Sequence, residues 1–326
     1  MGNKRLLYID YAKGIGILFM LLQHSIPQHN NIRLLIQAFC MPLFFVVGGY
    51  LWNYKEIIGK TICLSKGHII NRIHQLGIPY LIACGVLALF YELLSIVAGG
   101  HSILHSTIRI VTLQGIDSMW FLPVYFFSEI LFLAIIGLRH REFALFYFVA
   151  TLLFLHLIVK YEGSPWPFAL IEKSLLGSLY FIGGYVIAKY EIWQYKILLL
   201  LLFVLGLIGS FINGFASFAE LHIPSLYLFN GIVLSFAVIA LSKILVSNNV
   251  VSDFVLNFGR ETLIVLCSNN LFIEIIRLID YKLFNNILLN HGMLGNFMMF
   301  VLLVCVEVYF IHYYRRVVNS CSNYLS

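Results

Sequence analysis

The sequence predicts an all-α fold, a polytopic membrane helix bundle of about ten transmembrane helices with the N- and C-termini cytoplasmic. Three observations predict it. Of 326 residues, 61% are hydrophobic and only 11% are charged, where soluble domains have about a quarter of their residues charged. Apolar runs recur along the whole chain, and several reach the roughly 20 residues that a helix needs to cross the hydrocarbon. The basic residues, finally, collect in alternate loops between those runs.

The spans follow in order. Tyr8–Pro27 comes after Lys4 and Arg5, the start of a signal-peptide pattern. Asp10 and Lys13 interrupt it and no small-x-small cleavage site follows, so it reads as a retained first helix. Leu34–Trp52 begins beyond the polar turn Gln28–Asn31. Leu76–Ala98 stops at Gly99 and Gly100. Trp120–Leu138 opens on an interfacial tryptophan, and Phe143–Val159 ends before Gly163, Ser164 and Pro165. Leu175–Lys189 and Ile197–Asn213 form the middle pair. Leu226–Leu245 stops at Asn248 and Asn249, and Leu263–Ile279 and Leu294–Tyr313 close the chain. No internal repeat or low-complexity tract divides it, so residues 1–326 read as a single integral membrane domain.

With the N-terminus inside, 14 of the 21 Lys and Arg residues fall in cytoplasmic loops, among them Lys4, Arg5, Lys60, Lys66, Arg72, Arg139 and Lys189. Arg33, Arg109, Lys160, Lys173 and Lys282 fall outside, while Lys13 and Arg277 lie within spans. One span more or fewer would invert every later loop and blur this split, so the split supports count and orientation together. The formal charge of +6 is scattered singly, with no basic stripe, and this excludes a nucleic-acid partner. The six cysteines form no CxxC and are widely spaced, which predicts neither a metal site nor a disulfide framework.

The first span, YIDYAKGIGILFMLLQH, holds Asp10, Lys13 and His24 where apolar residues belong. Charged groups there cost free energy and usually face a cavity or a partner. Lys13 and His24 are eleven positions apart; at ~100° per residue they return to within about 20° of one face, about 16 Å apart along the axis. Asp10 lies one turn below Lys13 and can pair with it. The bland alternatives are a snorkelling anchor for Lys13 and a helix-bonding histidine for His24. Glu129, in the middle of the fourth span, reads either as functional or as a protonated acid bonding between helices. Asn270, Glu274 and Arg277 share a face of the ninth span, with Glu274–Arg277 a structural ion pair. Trp120 is either a sugar-stacking ring or a belt aromatic.

The first helix resembles the signature of acyltransferase family 3, a basic residue followed by histidine. Lysine at this position, in D-x-A-K-G, is similar to fucose 4-O-acetylase-like members. The segment FCMPLFFVVGGYLW resembles the family's MPLFFxxSGY at Met41, Pro42, Phe44, Phe45, Gly49 and Tyr50. NRIHQLGIPYL resembles R-x-x-R-x-x-x-P at Arg72 and Pro79, with Gln75 replacing the second arginine. MWFLPVYFFSEILF resembles a W-F-L helix start at Trp120, and FGRETLIVLCSNN resembles a late segment with Asn269 where histidine is usual. The likeness runs in order through the whole chain.

The resemblance implies an O-acyltransferase of the bacterial inner membrane. Acetyl-CoA would be the donor, with no metal, and a glycan or lipid-linked sugar the acceptor within the lipid bilayer. Such transfer needs a base for the hydroxyl proton, and a histidine suits it because its pKa lies near the operating pH. His24 is that candidate, as general base or as acyl carrier, with Lys13, Asp10 and Glu129 in support; Glu129 would orient His24 or pair with Lys13. Arg72, Lys66 and Gln75 are candidates for the donor's phosphates. Trp120, Asn269 and Asn270 are candidates for the acceptor. The intramembrane Asp10, Lys13, His24, Glu129 and Glu274 would also suit a proton-coupled secondary transporter, although no paired Gly/Pro-broken spans accompany them.

Overall fold

The structure is a computed structural model that describes residues 6–27, 30–57, 64–98, 103–138, 140–159, 166–190, 196–218, 220–284 and 292–325. Lys4, Arg5, Gln28, Lys60, Cys63, Gly99, Gly100, Arg139, Lys160, Gly163, Ser164 and Pro165 lie outside the described residues. All regular structure among the described residues is helical.

The chain runs α1 (Leu7–Ser25), α2 (Asn31–Ile57), α3 (Lys66–Arg72), a π-helical turn (Ile73–Gly77), α4 (Ile78–Ala98) and α5 (Ile103–Val111). A 3₁₀ turn (Asp117–Trp120) leads into α6 (Phe121–Gly137), α7 (Arg141–Val159), α8 (Phe168–Lys189), α9 (Lys196–Asn213) and α10 (Pro224–Leu245). Then come α11 (Val250–Arg260), α12 (Thr262–Leu283) and α13 (Gly292–Leu325).

A helix occupies each of the ten predicted segments, and seven of these stretches are long and apolar enough to cross a membrane. α7 and α9 carry shorter apolar stretches, and α1 is 19 residues long with Asp10 and Lys13 in its first half. Three edges lie furthest from expectation. The third segment starts at Lys66, because Ser65 caps α3 by accepting the His68 N–H. The sixth starts at Phe168 and the tenth runs on to Leu325. α5 and α11 are short and amphipathic, with too few apolar residues to register as spans.

α2 is the central helix, packed by α1, α8 and α10. Phe44, Phe45, Val46 and Val47 are all buried, and four consecutive positions make a full turn, so the helix is enclosed on every side there. With lipid outside, packing and close backbone approach hold such helices together more than any aversion to solvent. The α2–α8 contact is the clearest case: a Cβ on Gly49 would overlap the Phe181 carbonyl, and one on Gly184 the Val46 carbonyl. Gly49→Val is therefore expected to destabilise the bundle by about 1–3 kcal/mol through overpacking. An earlier thermal unfolding midpoint in detergent is the measurement; an unchanged midpoint would show that the crossing gives way freely.

The outer helices α7 and α9 expose Leu145, Phe146, Leu200 and Leu201, the apolar surface that lipid covers. Below, the end of the bundle where α1 begins is the near end, and the end where α1 finishes is the far end.

Candidate active site

At the near end Asp10 and Lys13, one turn apart on α1, form an ion pair of 2.7 Å. α11 presses against this turn backbone to backbone. A Cβ on Gly14 would overlap the Val255 carbonyl, and one on Gly259 the Asp10 carbonyl. Tyr8 meets Tyr50 at 3.0 Å between hydroxyls, and the Lys243 ammonium lies 4.9 Å from the centre of the Tyr8 ring. Two lysines from different helices thus stand at this end with one aspartate between α1 and α11.

At the far end α1 borders a cavity of about 430 Å³, and His24 lines it with Met20 and Gln23. α2 contributes Arg33, Gln37 and Met41, the 3₁₀ turn Asp117, Ser118 and Trp120, and α12 Asn270, Glu274 and Arg277. The wall is cross-braced. Asn270 Nδ2 donates to Ser118 Oγ at 2.9 Å, the Tyr91 hydroxyl donates to Asp117 at 2.7 Å, and Arg277 pairs with Glu274 at 2.9 Å. Asp117 enters its turn with φ of 50°, a left-handed conformation that aspartate tolerates better than most residues. The Lys173 ammonium lies 4.6 Å from the centre of the Trp120 ring, so one face of that indole is taken by a cation.

A second polar centre lies deeper in the bundle, around Glu129 of α6, which is 1% exposed. Arg72 Nε and Nη2 both reach Glu129 Oε2 at 2.7 Å. Trp52 Nε1 donates to Oε1 at 2.9 Å, and His68 Nε2 lies 3.6 Å from the same oxygen. Arg72 Nη1 donates to Gln75 Oε1 at 2.9 Å. The π-helical turn starts right after Arg72; such turns often mark functional positions. A buried carboxylate needs this degree of pairing, since an unmatched charge at this depth costs several kcal/mol.

One face of α6 joins the two centres. Phe121 lines the far-end cavity, the Tyr125 ring lies 5.9 Å from the Arg72 guanidinium, and Glu129 closes the series. At ~1.5 Å per residue, Phe121 and Glu129 are about 12 Å apart along the helix. Among the described residues no three His, Cys, Asp or Glu side chains gather as a metal site.

The family model of the acyltransferase domain matches residues 6–312. The chain belongs to acyltransferase family 3. Neither a curated protein nor a solved structure matches it. Membership makes the chain a membrane acyltransferase and leaves the transporter reading without support.

Within this acyltransferase the residues expected from the sequence fall into three groups. His24, Trp120 and Asn270 come together in the far-end cavity. Arg72, Gln75 and Glu129 come together in the deeper centre, and Asp10 with Lys13 at the near end. Glu129 is therefore turned to Arg72, Trp52 and His68, and not to His24 or Lys13 as expected. Gln75 holds Arg72 and Glu129 takes two of its donors, so the arginine is a fixed fork and not an open one. Asn269 is fully buried behind the cavity wall, where Nδ2 approaches Met20 Sδ at 3.7 Å and Oδ1 accepts the Asn270 N–H at 2.7 Å. In this position Asn269 contacts Met20 and the Asn270 backbone, and it is absent from the cavity lining, where the acceptor contact was expected. Lys66 is exposed at the start of α3.

Trp52, His68, Ser118, Gln37 and Arg33 belong to these centres without having been singled out from the sequence. Ser118 had a faint signal, standing two residues before Trp120. His68 and Trp52 had none, because they meet Glu129 only across 61 and 77 residues of chain.

Proposed function

We propose that this acyltransferase moves an acetyl group from acetyl-CoA to a hydroxyl of a cell-envelope or exopolysaccharide sugar, free or lipid-linked, in the bacterial inner membrane. The observation that carries the reading is that His24, on an intramembrane helix, opens into a polar cavity and not onto lipid. The chain crosses the membrane ten times with both ends cytoplasmic, which makes the near end the cytoplasmic one and agrees with the alternation of basic residues.

The donor's nucleotide docks at the near end, where Lys13 and Lys66 attract its phosphates, with Arg72 of the deeper centre adding its charge behind them. Its pantetheine arm is as long as the Lys13–His24 rise and carries the thioester inward. The acceptor enters at the far end, with its ring against Trp120 and a hydroxyl near Asn270 and Ser118. His24 takes the hydroxyl proton as the oxygen attacks the thioester carbonyl. The C–O bond forms, the C–S bond breaks, and coenzyme A leaves as a thiolate that takes up a proton. In the alternative order the imidazole receives the acetyl group first and passes it to the sugar oxygen.

Membranes containing the protein, given acetyl-labelled acetyl-CoA, are expected to transfer label to an endogenous or added glycan, and membranes without it are not. Release of labelled acetate alone, with no glycan labelled under any condition, would count against the reading.

A further inference from the structure

The far-end cavity is lined by a guanidinium, that of Arg33, which the described residues leave without a carboxylate. Four charged side chains line it: Arg33, Arg277, Asp117 and Glu274. Glu274 is bonded to Arg277 and Asp117 accepts from Tyr91. Arg33, by contrast, has no carboxylate partner among the described residues. Its Nη1 donates to the Ile26 carbonyl at 2.9 Å, and its Nε is sealed from water with no hydrogen-bond partner. One turn along α2, Gln37 Oε1 is likewise buried and unpaired, and it lines the same cavity. Arg33, Arg277 and the His24 imidazole line the same cavity.

A snorkelling arginine turns its head to interfacial water. Arg33 instead lines the cavity, half-buried, with its Nη1 held by the Ile26 carbonyl. A guanidinium in a cavity wall with no carboxylate partner is a charge that a planar or tetrahedral oxyanion docked in the cavity can balance through its N–H groups. We infer that the acceptor is anionic: it carries a carboxylate or phosphate group that Arg33 binds while the neighbouring hydroxyl stands at His24. A uronic acid residue and a sugar next to a phosphate share this chemistry.

This inference rests on the acetyl-transfer reading, and the test separates the two. Glycans and the lipid-linked sugar pool of the host are compared with and without the gene. Fragmentation mass spectrometry then locates the residue that carries the added acetyl mass. An acetyl group on a uronic acid, or on a sugar adjoining phosphate in the lipid-linked pool, supports the inference and tells the two sources apart. An acetyl group on a neutral residue remote from any anion overturns it and leaves acetyl transfer standing. No gene-dependent acetyl group in any fraction overturns both. In the same host Arg33→Gln is expected to lower the acetylated fraction at least about 10-fold, the scale of one lost charge-assisted contact, with Arg33→Lys recovering part of it. Both variants are compared at equal membrane levels by immunoblot. An Arg33→Gln protein that acetylates at the native level also overturns the inference.

Discussion

Replacing His24 by alanine is expected to lower acetyl transfer by about 10²- to 10⁴-fold, the range that a positioned acid–base group contributes. The half-buried side chain lines the far-end cavity, so its loss mainly enlarges that cavity. Membrane insertion and the unfolding midpoint of His24→Ala should therefore match those of the native protein. Exogenous imidazole, small enough for a cavity of about 430 Å³, should restore part of the rate, which a merely structural histidine would not allow. Single turnovers without acceptor, quenched in denaturant at neutral pH because an acyl-imidazole hydrolyses in acid, separate the two orders of reaction. Label retained on the native protein and lost in His24→Ala indicates an acyl-imidazole, and no retained label indicates direct attack. Transfer by His24→Ala at the native rate would remove His24 from the chemistry altogether.

The parts of this protein that were legible in the sequence share one property: they are encoded locally. A span is a run of about 20 apolar residues, and every such run is a helix here. α5 and α11 escaped because they mix apolar and polar residues over nine and eleven positions, too short and too polar for a span. The face shared by Lys13 and His24 follows from helical periodicity within one segment, so the sequence could display it. Pairing between segments is another matter. Glu129 stood out as an ionisable group at membrane depth, yet its partners are set by which helices pack side by side. The register that brings Trp52 and Arg72 to it lies 77 and 57 residues away. Asn269 and Asn270 show the same limit on a smaller scale. Both are amides on one helix, 100° apart, and only the packing of Met20 and Ser118 decides which of them reaches the cavity.

The second large effect is expected at Glu129. Its carboxylate is the charge that balances Arg72, and the two Arg72 contacts at 2.7 Å, with Trp52 at 2.9 Å, use both oxygens. Glu129→Ala removes the carboxylate and leaves a guanidinium largely enclosed between α3 and α6. Breaking one side of such a pair costs about 3–5 kcal/mol, most of it the penalty of the uncompensated charge. The variant should unfold at a markedly lower temperature in detergent, and its transfer rate should fall with it. A double variant tells structure from function. Arg72→Leu with Glu129→Leu removes both charges and should recover most of the lost stability, since apolar residues of similar volume often replace a buried pair without loss. If the pair serves only to hold α3 against α6, the double variant regains activity along with stability. If Arg72 meets the donor's phosphates, stability returns while the KM for acetyl-CoA stays raised, because no packing change supplies a phosphate with the two remaining N–H groups of that fork. A double variant as active as the native protein, with an unaltered KM for acetyl-CoA, would restrict the Arg72–Glu129 centre to architecture and move the donor site to Lys13 and Lys66.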